Sequence, residues 1–179
     1  MRILWLSLFV LLSACGGDQA ALMAEKPKPA MYDDAVVGKS CGMFLSEHQG
    51  PVGQLFIKGE PEPFWFSTVR DMLTFVAAPE WSHRVVAAYV SDMASPSSWG
   101  DRKQLQWLDA KSSLYVIHSD QRGGMGGAES VPFASVGAAQ AFVVDHGGKV
   151  VTLDNMPHSY LMGIEQVENE TPSKPHPGT

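Results

Sequence analysis

The sequence predicts an α+β protein made of two similar ββαβ modules. Residues 66–76 and residues 133–143 share one pattern: Phe, one residue, Ser or Thr, Val, five residues, then Phe-Val. In each segment the end of a strand is followed by a hydroxyl residue suited to cap a helix, Thr68 or Ser135, and then by a short helix. Apolar, β-branched runs before and after each helix supply the remaining strands of two α+β units.

The predicted elements place strands on both sides of each helix. The four strands outside the repeated segments are predicted at residues 52–57, 85–90, 113–117 and 150–153. In the first helix, apolar residues recur at i, i+3, i+4 and i+7 and therefore share one face. These residues are Val69, Met72, Leu73 and Val76. The glycine pair at 147–148 predicts the end of the second helix. We place the first module at residues 35–96 and the second at residues 97–164.

The N-terminus has the features of an exported lipoprotein. Residues 1–14 combine one basic residue with a short apolar run, which predicts a signal peptide too short to span a bilayer. Cys15 directly follows Leu-Ser-Ala, as in the bacterial lipoprotein box, and Gly16 after it favours the outer membrane. We therefore expect lipid on Cys15, a tether at residues 15–34 and a disordered, proline-rich tail at residues 165–179.

The charge of the chain excludes one class of function. The formal net charge is −6, from 13 basic and 19 acidic residues. Nucleic-acid-binding proteins need a basic surface to neutralise phosphates, so we expect no nucleic-acid partner. The acidic balance fits a soluble body that lipid holds at a membrane.

The two cysteines have different expected roles. If Cys15 carries lipid, Cys41 is the only free thiol of the mature protein, and no intramolecular disulfide can form. An unpaired thiol outside the cytosol is exposed to oxidation. Cys41 lies two residues before Met43, and a thiolate and a thioether are soft ligands that select soft metals, copper(I) first among them. The alternative is a buried structural cysteine.

Two further residues are candidate ligands. Met125 has a glycine pair on each side, which predicts a loop rather than a helical core position. Cys41 and Met125 both precede the helix of their module, so face-to-face packing of the modules would let Cys41, Met43 and Met125 share one metal. His48 could then complete or modulate the site. An accidental loop methionine at position 125 is the alternative.

A larger set of residues resembles a known family. The set comprises residues 40–51, Gln54, Tyr115-Val116-Ile117, Ser119-Asp120, Met125-Gly126, residues 131–135 and residues 142–149, together with the lipoprotein box. Each piece is short, but the combination over residues 38–155 resembles NosL, the family of accessory lipoproteins of nitrous oxide reductase.

The resemblance implies a non-enzymatic copper(I) chaperone whose fold is similar to that of organomercurial lyase. The family's Cys-x-Met motif falls on Cys41 and Met43, and its Met-Gly loop falls on Met125 and Gly126. The implied protein is a periplasmic lipoprotein that delivers copper for the copper centres of nitrous oxide reductase, and Gly16 places it on the periplasmic face of the outer membrane. Its expected partner is the reductase or the ABC-type membrane complex that matures it.

The chain departs from the family pattern at two places. Residues 67–71 read Ser-Thr-Val-Arg-Asp where relatives often carry paired aspartates, which leaves the acidic cap of this helix unassigned. His118 stands where glycine is more usual, either as a histidine near the site or as a surface residue.

Several alternatives stay open at this level. One is a cysteine-dependent enzyme of lyase-like fold with a Cys41–His48 pair, although such lyases are expected to use two cysteines. Another is an outer-membrane lipoprotein that binds a protein partner and no metal. Silver(I) or mercury(II) would also suit the sulfur ligands, and Met156 with His158 is a fallback ligand pair. A metal shared between two chains would make the protein a homodimer.

Overall fold

The computed structural model describes residues 26–102 and 105–164. The predicted signal peptide, the lipidation site at Cys15 and the predicted tail at residues 165–179 lie outside the described residues. Within the described ranges, no helix combines the length and the apolar character that a membrane crossing requires.

The first module is a four-stranded antiparallel sheet with two helices. Its strands are β1 (Gly53–Ile57), β2 (Phe64–Phe66), β3 (Val85–Ser91) and β4 (Trp107–Asp109), in the spatial order β2-β1-β3-β4. Helix α1 (Val69–Ala77) and the short helix α2 (Pro79–Ser82) connect β2 to β3. The first three strands and α1 form the predicted ββαβ unit. The edge strand β4 was not predicted, and it joins this sheet although it lies within the range 97–164 predicted for the second module.

The second module repeats this unit. Its strands are β5 (Leu114–Ile117), β6 (Val131–Phe133) and β7 (Lys149–Thr152), in the spatial order β6-β5-β7, and α3 (Val136–His146) joins β6 to β7. The order matches β2-β1-β3 of the first module, and all pairs are antiparallel. The prediction of an α+β fold with two ββαβ modules is therefore confirmed.

Both long helices begin at the predicted hydroxyl residues. The Asp71 N–H donates to Thr68 Oγ1 over 3.1 Å, and the Ala138 N–H donates to Ser135 Oγ over 3.2 Å. Each side chain thereby satisfies one backbone donor that the first turn leaves without a helical partner. Helix α3 ends at His146 because Gly147 takes a φ of +67°, a conformation that glycine adopts without strain.

The main core joins the two modules. One buried cluster contains Met72 of α1, Leu55 of β1, Tyr115 of β5 and Tyr160 of the short helix α4 (His158–Leu161). Helix α1 buries three of its four predicted face residues almost completely, and Val76 is half-buried. This apolar contact fixes the second module against the first, and it determines which loops meet at their junction.

Candidate metal site

Cys41 and Met43 lie at the tip of a short hairpin, residues 37–44, which we call the cysteine hairpin. Val37 pairs with Phe44 at its base. The Gly38 N–H donates to the Met43 carbonyl over 2.9 Å, and the Gly42 N–H donates to the Gly38 carbonyl over 2.8 Å. Gly42 has a φ of +70°, which favours glycine at the turn between the two sulfur residues.

The thiol of Cys41 faces the end of strand β2. Its Sγ lies 3.5 Å from Ser67 Oγ, and a Cβ atom built on Gly38 would come within 2.6 Å of the same sulfur. Cys41 is half-buried, whereas Met43 is 37% exposed. Only glycine at position 38 lets the thiol occupy this place, and the thiol remains accessible to an incoming ion.

Met125 lies at the tip of a second hairpin, residues 122–128, which we call the methionine hairpin. Arg122 pairs with Ala128 at its base, and the Gly123 N–H donates to the Gly127 carbonyl over 2.9 Å. The Gly126 N–H closes the turn on the Gly123 carbonyl at 2.8 Å. Met125 is 47% exposed. The structure thus places it on an accessible loop, as its glycine neighbours predict.

The two hairpins flank one point of the fold, the junction Ser67–Thr68 between β2 and α1. Ser67 contacts the thiol of Cys41 at 3.5 Å. On the other side, a Cβ atom built on Gly123 would lie 3.2 Å from Thr68 Cγ2, so the methionine hairpin packs directly on Thr68. Ser67 therefore contacts the cysteine hairpin and the adjacent Thr68 contacts the methionine hairpin, so both hairpins pack against one junction of the fold.

His48 is linked to the methionine hairpin rather than to the thiol. Its Nδ1 lies 3.0 Å from the carbonyl oxygen of Gly124, and a carbonyl only accepts, so Nδ1 carries the proton. Nε2 then presents a lone pair, and it is buried without a hydrogen-bond partner in the described part of the chain. In metal-binding histidines, one ring nitrogen usually donates a hydrogen bond in this way, and the other nitrogen binds the metal. The ring also lines a small cavity with Tyr32 and Arg102.

The other predicted ligands lie elsewhere. His118 packs edge-on against Tyr160, with 4.8 Å between ring centroids, and takes a φ of 61°. Met156 packs against the main core, and His158 begins α4 with an exposed side chain. The structure therefore does not favour Met156 and His158 as the primary site.

The donor set around the two hairpins suits a soft metal. In residues 26–102 and 105–164, no three histidine, cysteine, aspartate or glutamate side chains are grouped where they could hold a metal ion. A metal bound at Cys41 would therefore need thioether sulfur, which Met43 and Met125 present at accessible positions. Sulfur ligands of this kind select copper(I) over hard cations such as Mg²⁺ or Ca²⁺.

Two buried charged residues beside the hairpins were missed by the sequence analysis. Arg102 donates to the carbonyl oxygens of Leu45 and Gly50 and so holds the segment that carries His48. Glu129 accepts the N–H of Arg70 at the start of α1. No local pattern marks either residue, because a single charge beside a short strand usually predicts a solvent-exposed side chain.

The fold and the two hairpins define a class of protein: a two-module α+β protein that carries accessible sulfur side chains on two hairpins. The NosL family model matches residues 29–161. This match covers most of the chain, which therefore belongs to the NosL family.

Relatives and a solved structure agree with this assignment. The chain is 37% identical to the copper-binding lipoprotein NosL of Achromobacter cycloclastes over 153 residues, covering 85% of this chain and 77% of that protein. It is 28% identical to the copper-binding lipoprotein NosL of Stutzerimonas stutzeri over 158 residues, covering 88% and 80%. The crystal structure of the copper chaperone NosL from Shewanella denitrificans matches with a TM-score of 0.66 and 30% identity, covering 75% of this chain and 98% of that one.

Proposed function

We propose that this protein is a copper(I) chaperone that holds one ion between its two hairpins. Cys41 supplies a thiolate, Met43 and Met125 supply thioethers, and His48 is available as a fourth ligand through Nε2. The observation that carries the proposal is that the two hairpins pack against adjacent residues, the cysteine hairpin on Ser67 and the methionine hairpin on Thr68. The copper-binding names of the relatives support the same metal.

The ligand set suits transfer as well as binding. Copper(I) accepts two to four soft ligands without a strict geometry, so a site with one thiolate and two thioethers keeps room for a ligand from an acceptor. Met43 and Met125 are both partly exposed at hairpin tips, where a second protein can reach the ion. An open groove of about 500 Å³ begins at Ser40, next to Cys41, and is lined by Phe75 and Trp81 with Asp71 and Glu80. Such a groove leaves space for an acceptor to approach.

We further propose the destination and the location of the protein. Copper passes towards the copper centres of nitrous oxide reductase, either directly or through the ABC-type membrane complex of its maturation. Lipid on Cys15 holds the protein at the periplasmic face of the outer membrane, where the acceptor is located. The lipoprotein names of the relatives support the lipid anchor.

The contacts of Cys41 argue against the alternative of a cysteine-dependent enzyme. A cysteine nucleophile needs a base within hydrogen-bond reach of its sulfur. His48 directs Nδ1 to the Gly124 carbonyl, and the thiol contacts the hydroxyl of Ser67. A Cys41–His48 catalytic pair is therefore not the arrangement in the structure, and we propose a binding protein rather than an enzyme.

Anaerobic native mass spectrometry tests the proposal. The detergent-solubilised full chain is mixed with copper(I), and the wild type is compared with Cys41→Ser. We expect one copper on the wild type and none on Cys41→Ser, because the serine hydroxyl is a poor ligand for a soft ion. Copper retained by Cys41→Ser at the same stoichiometry would contradict the site, and absence of copper on the wild type would contradict the function.

Transfer is tested separately. The copper-loaded chain is mixed with copper-free nitrous oxide reductase, with and without the maturation complex, and copper on each protein is measured after separation. Movement of copper to the reductase in the presence of a stronger copper(I) chelator would show direct delivery. Loss of all copper to the chelator would contradict delivery by ligand exchange.

A further inference from the structure

Glu129 is an unusual residue to find beside the two hairpins. It lies four positions after Met125 and two before strand β6, and it is 1% exposed. Burial raises the pKa of its carboxyl group to about 8, although backbone N–H groups partly oppose this shift. A buried ionisable side chain is costly compared with an apolar one of similar size, so its presence calls for a physical reason.

One carboxylate oxygen of Glu129 joins the two modules. Oε1 accepts the N–H of Ser130 over 2.8 Å, within its own module, and the N–H of Arg70 over 2.9 Å, in the first turn of α1. The N-terminus of a helix has backbone donors without helical partners, which a carboxyl oxygen can satisfy without carrying charge. Glu129 therefore supplies, from the second module, a cap for the Arg70 N–H, beside the cap that Thr68 gives to the Asp71 N–H.

The other oxygen faces the methionine hairpin. Oε2 is buried and lacks a hydrogen-bond partner among the described residues. A Cβ atom built on Gly123 would lie 2.6 Å from this oxygen and 3.2 Å from Thr68 Cγ2. The backbone at Gly123 is thus enclosed by Glu129 on one side and by the junction on the other. Gly123 stands two residues before Met125, so this contact determines where the hairpin tip lies.

Neighbouring contacts hold Glu129 itself in place. The Tyr160 hydroxyl donates to the Glu129 carbonyl oxygen over 2.6 Å, and the guanidinium of Arg70 donates to the Tyr160 carbonyl oxygen. Helices α1 and α4 therefore both pack around the residue. The carboxyl group therefore has little freedom to move. A side chain that fixes the position of another residue needs such restraint.

We propose that Glu129 is a positioning residue of the copper site, which fixes the methionine hairpin against the Ser67–Thr68 junction so that Met125 and Cys41 can share one ion. This inference rests on the proposed function, because it concerns the same site. Glu129 does not touch the metal. It acts through Gly123 on the Met125 thioether.

Copper(I) affinities measured with and without the Met125 thioether test the inference. Competition with a chromophoric copper(I) chelator is measured on the detergent-solubilised full chain for Glu129→Ala and Glu129→Gln, each with Met125 and with Met125→Ala. We expect Glu129→Ala to weaken binding by about tenfold when Met125 is present, as much as removal of Met125 itself. Its effect disappears with Met125→Ala, because the ligand that it positions is already gone. Glu129→Gln keeps an acceptor oxygen for Arg70 and Ser130 and retains affinity within about threefold.

Two further measurements separate positioning from a loss of stability. Tyr115→Phe removes a buried hydroxyl that donates to the Ala110 carbonyl oxygen and to neither hairpin, and it serves as the matched control that lowers stability without changing copper affinity. X-ray absorption at the copper edge counts sulfur ligands, and Glu129→Ala is expected to lose one relative to the wild type. If Glu129→Ala does not fold, Gly123→Ala replaces it, because its Cβ pushes against Oε2 from the hairpin side.

The outcomes are distinct. The positioning role would be overturned if Glu129→Ala lost the same affinity with Met125 and with Met125→Ala. An unchanged number of sulfur ligands to copper in Glu129→Ala would overturn it too. Either result would leave the copper site intact. Unchanged affinity in Glu129→Ala would overturn the positioning role as well. If the wild type itself binds no copper(I), the proposed function fails first, and that failure is visible before any Glu129 variant is measured.

Discussion

The cysteine hairpin and the methionine hairpin present similar sulfur side chains, but the fold holds them in different ways. The cysteine hairpin is anchored within the first module: the Lys39 N–H donates to the Trp65 carbonyl over 2.6 Å, and Cys41 contacts Ser67. The methionine hairpin belongs to the second module, yet its contacts with His48 and Thr68 reach the first. The position of the thiolate is therefore local, whereas that of the Met125 thioether depends on how the modules pack.

This difference has a consequence for copper transfer. A ligand whose position depends on inter-module contacts can be withdrawn by a small movement, while the thiolate keeps the ion. We infer that the two hairpins have different roles: Cys41 retains copper, and Met125 completes or opens the site. The following predictions test this division, beginning with the largest expected effect.

Removal of each ligand is expected to have unequal effects. Cys41→Ser lowers copper(I) affinity by about 1000-fold or more, equivalent to about 4 kcal/mol, because it removes the charged ligand. Met125→Ala lowers it by only about tenfold, because Cys41 and Met43 remain. Chelator competition under anaerobic conditions measures both.

Met31 provides the control for the methionine change. It is 91% exposed and lies outside both hairpins. Met31→Ala should leave copper affinity unchanged, since a solvated thioether alone holds no ion. Equal losses in Cys41→Ser and Met125→Ala would contradict the division of roles.

The helices of the two modules offer a second comparison. Met72 of α1 is fully buried in the core that joins the modules, whereas Val144 of α3 is 84% exposed. Met72→Ala is expected to lower the free energy of unfolding by about 3 kcal/mol, because it leaves a cavity in that core. Val144→Ala is expected to change it by less than about 0.5 kcal/mol. Urea denaturation of the copper-free chain measures both, and similar losses would show that α3 is covered in solution.

Local patterns explain why the fold was predictable. The repeated Phe, hydroxyl and valine pattern encodes a strand end, a cap and a helix twice, and the structure has α1 and α3 at these places. Strand β4 was missed because three residues, Trp107–Asp109, are too few to show alternation. It exists because it can pair with the open edge of β3.

The candidate site was predictable only in part, for the same physical reason. Glycine neighbours mark Cys41 and Met125 as turn residues, and both lie at hairpin tips. The contact of His48 with Gly124 spans 76 positions, and that of Glu129 with Arg70 spans 59. Such contacts arise from packing of the modules, which the local sequence does not encode.

Substitutions within the methionine hairpin sharpen the comparison further. A Cβ atom built on Gly124 would lie 2.6 Å from His48 Cβ and 2.9 Å from the Gln49 carbonyl oxygen, while Gly127 has open space around it. We expect Gly124→Ala to displace the hairpin and to weaken copper binding by about tenfold, a loss of about 1.4 kcal/mol. Gly127→Ala is the matched control and should bind as the wild type does. Equal affinities of the two variants would show that the hairpin tip does not need its contact with residues 48–49.

The smallest predicted effect is a pH dependence of stability at the point where the modules meet. Burial raises the pKa of Glu129 to about 8 from its ordinary value of 4.5, with Asp71 of α1 raising it further and backbone donors opposing the shift. The groups that face this carboxyl are Arg70 and Asp71 on α1 and Tyr160 on α4. Because the folded protein holds this proton more tightly than the unfolded chain, its contribution to stability is complete below pH 4.5 and is lost as pH rises through 8.

Glu129→Gln removes this titration while preserving the shape of the side chain. Between pH 7 and 8, we expect the free energy of unfolding of the wild type to fall by about 1 kcal/mol more than that of Glu129→Gln. Urea denaturation of the copper-free full chain at each pH gives the difference, in which the contributions of other titrating groups cancel. A parallel pH dependence in the two proteins would mean that solvent reaches Glu129. In that case the methionine hairpin would be held by His48 and Thr68 alone, and the second module would be less firmly fixed at the junction than the first.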